Sequence, residues 1–187
     1  MLASALLVSQ ATAKSSDNKV KCNKILEGPV VLGTSGQSNP SQNLHVHNSS
    51  PATNGNAMLG KADKETWAAY WSCTGFDGHN NTSPSKNTYF GQLRVADTWC
   101  YTLEPGTHGV QNGLVLEECA WDASEELSKQ WIHGSWQDDF FEITPTVTDK
   151  SGSSKLYSHV AVHDDFHDTL DFSGKKPTKQ TVAIKYQ

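Results

Sequence analysis

Apolar residues along this chain recur mostly at every second position, the period of a β-strand rather than of a helix. Gly28-Pro29 introduces Val30-Val31-Leu32, and Leu44 and Val46 alternate with His45 and His47. Trp67, Ala69, Trp71 and Cys73 share one face of a period-two pattern. So do Leu93 with Val95, Leu114 with Leu116, Phe141 with Ile143, Val160 with Val162 and Val182 with Ile184. Clusters of Gly, Pro, Asn and Ser separate these runs, at Ser35 to Ser41, Ser49 to Asn56, Gly75 to Asn87, Glu104 to Gly113 and Asp149 to Ser154. The best helical window, Asp122 to Lys129, has room for a turn or two only. Many short strands parted by turn signals predict an all-β domain closed into a barrel or sandwich, because closure removes exposed sheet edges.

Size and composition narrow this picture. The 187 residues fit one domain, and six Trp, five Tyr and six Phe can build a core although only 36% of residues are hydrophobic. A net charge of -5 with no basic run argues against nucleic acid and anionic membranes as partners. At the N-terminus, the apolar run Leu2 to Val8 and the small-residue site Ala11-Thr12-Ala13 read as a signal peptide over 1–13, leaving 14–187 as the domain. No basic residue precedes that run, which is far shorter than the ~20 residues a membrane span needs. Secretion also suits the acceptor triplets at Asn48 and Asn80, with a further one at Asn81. Four Cys, with no Cys-x-x-Cys pair, point to disulfides rather than zinc or redox chemistry, and allow three pairings.

The strand pattern contains a candidate internal repeat. Leu44-His45-Val46 can be set on Leu93-Arg94-Val95, and Tyr70-Trp71-Ser72-Cys73 near Leu116-Glu117-Glu118-Cys119, giving a period of about 46–49 residues. A third, less regular unit would begin near Phe141 and has no Cys. In the second unit Leu93-Arg94-Val95 leads to Cys100, Asn112 to Leu116 leads to Cys119, and Gln130-Trp131 follows. This arrangement resembles the ricin-B-like lectins, whose repeats carry a spaced Cys pair and a Gln-x-Trp signature. Here the Trp adjoins the Gln instead of lying one residue further on. The resemblance implies a β-trefoil of three repeats. It also implies a Cys100–Cys119 disulfide, which leaves Cys22 to pair with Cys73.

The resemblance further implies where sugar would bind. The family places an Asp two residues after the first Cys and a stacking aromatic two residues before the second. This chain has Thr102 and Glu117 at those positions, so its second unit is expected to be silent. Trp71, two residues before Cys73, stands where the first unit's platform belongs. Asn56, Asp77, His79 and Asn81 are the candidate partners for sugar hydroxyls. The competing reading packs Trp71 inside the barrel with Trp67 and Trp99.

Other constellations carry less. His159, His163 and His167 recur among Asp164, Asp165 and Asp168. On a strand, residues four apart lie about 13 Å from one another, too far for one ion. Only a turn joining His163, Asp165 and His167 would make a site, so a solvated edge is the expectation and no metal or other cofactor is assigned. The carboxylate pairs Glu117-Glu118, Glu125-Glu126, Asp138-Asp139 and Asp164-Asp165 point to opposite faces if extended, and no nucleophile or phosphate-loop motif is present. The expectation is a secreted, non-catalytic, lectin-like protein whose partners are glycans or glycoproteins. The alternative is a secreted non-lectin trefoil acting through surface loops on a protease or other protein.

Overall fold

A computed structural model describes residues 19–34, 42–47, 58–75, 87–105, 112–122, 125–137, 140–148, 154–163, 169–174 and 179–186. Among these residues the chain is all-β, with one short helix. The strands are β1 (Lys21–Thr34), β2 (Gln42–His47), β3 (Met58–Lys61), β4 (Trp67–Thr74), β5 (Thr88–Val95), β6 (Trp99–Pro105) and β7 (Asn112–Glu118). After the helix α1 (Glu125–Lys129) come β8 (Ile132–Trp136), β9 (Phe140–Thr148), β10 (Ser154–Leu156), β11 (His159–His163), β12 (Thr169–Ser173) and β13 (Gln180–Lys185).

Six strands pair in a closed antiparallel ring. Tyr70 of β4 lies opposite Leu26 of β1 and Leu93 of β5. Phe90 of β5 faces His133 of β8, and Gly134 of β8 faces Ile143 of β9. Ile143 then pairs with Val182 of β13, and Ile184 of β13 returns to Val30 of β1. Outside the ring, β2 pairs with β3, β6 with β7 and β11 with β12. These hairpins meet through Met58↔Val115 and Thr169↔Gly60. Every sequence run with period two lies in a strand. β1 extends further than expected, through Gly28-Pro29. A side chain at Gly28 would run into the backbone carbonyl of Lys185, so only Gly lets β13 approach there.

The ring and hairpins enclose one main core, which includes Tyr70, Leu93, Phe141, Ile143, Val182 and Ile184. Leu44, Leu59, Tyr101, Leu114 and Phe172 join it from the hairpins. The Tyr70 and Phe141 rings meet at a tilt of 56° with centroids 4.7 Å apart, and the buried Tyr70 hydroxyl donates to Ile132 O at 2.7 Å. Gly134 makes room for both rings, since a methyl there would strike Phe141 and Tyr70.

Trp67, Ala69, Trp71 and Cys73 share a face as expected, and because Ala68 and Tyr70 are the β4 side chains in the main core, that face is the outer one. One expectation needs correction, because the proposed repeat register fails. Leu44 lies in a hairpin strand and Leu93 in a ring strand, while Trp71 is in the ring and Glu117 in a hairpin. The alignment therefore matched unlike strands, because alternation looks the same in both.

Both expected disulfides are present. Cys22–Cys73 ties paired positions of β1 and β4, and Cys100–Cys119 closes the base of the β6–β7 hairpin. No helix among the described residues is long and apolar enough to cross a membrane.

Candidate functional site

Ala120, Leu127 and Trp131 pack over part of the outer face of β4 and β5. Val20, Cys73, Leu127 and Trp131 form a second apolar cluster there, with Trp71, Phe90 and Ala120 packed against it. Beside this cluster lies a buried polar network. Gln130 Oε1 accepts from Ala120 N at 2.8 Å and from Gln92 Nε2 at 3.1 Å. Gln92 Nε2 also donates to Ala120 O at 3.0 Å, and Gln130 Nε2 donates to Glu118 O at 2.9 Å. These bonds satisfy the chain where it leaves regular structure, which is what burying two glutamines requires.

Arg94 completes the network and is 2% exposed. Its Nε and one Nη donate to Gln92 Oε1 at 3.1 and 2.7 Å. Its guanidinium carbon sits 4.5 Å from the ring centre of Trp71 and 4.3 Å from that of Trp121. Two indole faces and a carboxamide oxygen thus replace the water around the cation. Burial draws its pKa below the ordinary value, against the opposing pull of Asp97.

At the β5–β6 turn beside Arg94, three tryptophans face solvent. Trp67 is 47% exposed, Trp99 50% and Trp121 48%. Trp67 precedes by two residues Ala69, the strand partner of Arg94, and so shares the Arg94 face with Trp121. Trp99 pairs with Val95 and lies across the turn on the opposite face. The turn itself is tight. Ala96 and Asp97 both have positive φ, 51° and 62°, and Thr98 N donates to Ala96 O at 2.8 Å. Polar residues lie in the turn and on the neighbouring strand β1. Asp97 and Thr98 are exposed in the turn, and Lys24 forms an ion pair with Glu27 on β1. The Lys24 pKa is raised by the hydrogen bond to Glu27 and by the charges of Glu27 and Asp97. Exposed Trp67 and Trp121 thus lie on the Arg94 face, near the polar residues of the β5–β6 turn.

The sequence-predicted residues stand apart from this surface or behind it. Trp71 is half-buried, with Arg94 over its ring, and its Nε1 has no hydrogen-bond partner among the described residues. It packs with the second cluster rather than with Trp67 and Trp99, which are exposed. Thr102 is buried, with its hydroxyl bonded to Cys100 O at 3.4 Å, and Glu117 is half-buried on β7. Asn48, Asn56, Asp77, His79, Asn80 and Asn81 lie outside the described residues, as do 1–18, Asp165, His167 and the side chain of His163. His159 is half-buried on β11. In the sequence alone Trp121 and Arg94 had no role in a site, and Trp67 and Trp99 figured only as packing partners in the competing reading of Trp71. The only available signal was Trp121 directly after the Cys119 region, in a segment with no strand pattern.

Comparison of the chain with protein-family models, with curated proteins and with solved structures returns no match.

Proposed function

We propose that this chain is a secreted, non-catalytic β-trefoil that binds carbohydrate through the Trp67–Trp121 surface. The trefoil reading is supported by the closed ring of β1, β4, β5, β8, β9 and β13 together with three hairpins outside it. Secretion is supported by two disulfides, which persist in oxidising compartments. The single observation that carries the binding reading is the exposure of Trp67 and Trp121 on one face. Tryptophan is usually largely buried, and a half-exposed indole on a rigid strand offers a flat apolar platform. Sugars present C–H faces to such platforms and hydroxyls to the groups beside them, here Asp97, Glu27 and Lys24.

A glycan array followed by calorimetry on the best ligand tests this. Trp67→Ala should weaken binding at least about tenfold, since the apolar area covered by a sugar is lost, with the melting temperature unchanged. Array-wide silence would overturn the reading.

One observation favours a second reading, the action on a protein partner. The Ala96-Asp97 turn has Trp67 on one side and Trp99 on the other, and tryptophan is enriched in interface hot spots. A panel of secreted proteases with the purified protein as inhibitor separates the two. Inhibition lost in both Trp67→Ala and Trp99→Ala, without glycan binding, would select it.

A further inference from the structure

Resting on the carbohydrate reading, we propose that Arg94 is the positioning residue of this surface: from behind, it fixes the Trp121 ring and biases the site towards uncharged sugars over cationic amino sugars. Arg94 is 2% exposed, so it cannot be a ligand contact itself. Its orientation is set from below by two bonds to Gln92 Oε1, while Gln92 is anchored to Ala120 and Gln130. The guanidinium is therefore a fixed plane, tied to the same segment that carries Trp121.

Trp121 needs such a support. It lies between Cys119 and α1, in a stretch that belongs to no strand or helix. Its backbone is held, because its carbonyl accepts from Val20 N at 3.1 Å and the next residue, Asp122, bridges to Lys19. Those bonds fix the main chain and leave the two side-chain torsions open. The Arg94 guanidinium, 4.3 Å from the ring centre, selects one orientation while the ring stays 48% exposed. A ligand then meets a ring that is already ordered, which avoids the entropic cost of ordering it on binding.

The charge preference follows from the same contact. A cation over one face of an indole draws π-electron density towards itself and repels a second cation at the other face. A neutral pyranose loses little, because its contact with the ring is mainly apolar burial. A protonated amino sugar loses the cation–π attraction that a free indole would give it.

The test has a ligand-free arm and a ligand arm. In the first, the protein is labelled with 5-fluorotryptophan and the Trp121 fluorine resonance is assigned by Trp121→Phe. Arg94→Met should shift and broaden that resonance and raise acrylamide quenching of Trp121. Arg94→Lys, which keeps the charge and loses the planar fork, should also move it, and serves if the Met variant fails to fold. An unmoved resonance in a folded variant overturns the positioning role. In the second arm, the tetramer of N-acetylglucosamine and the tetramer of glucosamine at pH 6 are titrated into wild type and Arg94→Met. Wild type should prefer the acetylated tetramer, and the preference should fall about fivefold in Arg94→Met. An unchanged preference overturns the charge bias. A moved fluorine resonance with no glycan bound by wild type keeps the positioning role and overturns both the carbohydrate reading and the charge bias resting on it.

Discussion

Strands β4 and β5 bury residues on both of their faces, and they do it by different physics. On the inner face Tyr70, Leu93 and Phe141 pack as apolar volume, with one hydroxyl bonded to Ile132 O. On the outer face Gln92, Arg94 and Gln130 are buried as a connected polar set, roofed by a segment tied down through Cys100–Cys119. The inner face tolerates no cavity and rests on few hydrogen bonds, chiefly that of Tyr70 to Ile132 O. The outer face depends on every partner being present, because each missing one strands a buried donor or acceptor. Binding surfaces favour the second kind of layer, where a fixed polar lattice can hold side chains half in and half out of water.

The comparison can be broken from either side. Phe141→Ala should cost the most, about 3–5 kcal/mol, because three rings, Tyr70, Tyr89 and Trp136, lose their shared neighbour. A denaturant melt would show it, and a loss under 1 kcal/mol would mean the interior is not close-packed there. Replacing both Cys100 and Cys119 by Ser should cost about 3 kcal/mol from the 19-residue separation alone. It should also raise hydrogen exchange at Ala120 and Trp121 before the inner strands. Gln130→Ala should cost about 1–3 kcal/mol and act on the outer layer only, since Ala120 N and Glu118 O lose their partner. Equal loss of protection on both faces would contradict the separation drawn here.

Two smaller effects sharpen it. Tyr101 is fully buried in the main core, burial pushes its phenol above the ordinary range, and its hydroxyl has no hydrogen-bond partner among the described residues. Tyr101→Phe removes that polar atom, so it should leave stability unchanged or raise it by about 1 kcal/mol, as read from the melting midpoint. The smallest effect is a pH slope. His133, half-buried against Phe90 at 5.2 Å, has its pKa lowered below 6.5 by burial, partly opposed by Glu142. The folded state then binds a proton less readily than the unfolded state. Stability should fall as pH drops through the region below 6.5 and be insensitive to this group above it. His133→Gln should flatten that part of the curve.

How much was legible in advance varies with the kind of pattern. Val30 to Leu32, Leu44 with Val46, and Val182 with Ile184 were readable as strands because β-branched and apolar residues at period two leave little choice. β3, Met58–Lys61, was not, since MLGK has no alternation, and β12, Thr169–Ser173, was passed over although Leu170 and Phe172 alternate there with polar residues. Trp67 to Cys73 read correctly as one face, with its direction left between an exposed platform at Trp71 and a packed interior. The chain alternates large residues on both sides of β4, and nothing local says which side meets the ring interior. The binding surface was the least legible part. Trp67 and Arg94 come onto one face through the pairing of Ala69 with Arg94, and Arg94 meets Trp121 across the chain.

The sequence by itself determined that the chain is all-β and which residues lie in extended runs. Those properties follow from local sterics and from the spacing of apolar side chains, which act within a few residues. Its Cys spacing, read through a family resemblance, also predicted the two disulfides that form. Only the tertiary structure decided which face of β4 is the core, which strands occupy like positions, and that three of six tryptophans stand in water around one turn. Those outcomes rest on ring closure and on the segment laid over it, contacts between residues far apart in the chain. Alternation along a strand fixes two faces but cannot name the inner one until the sheet has closed.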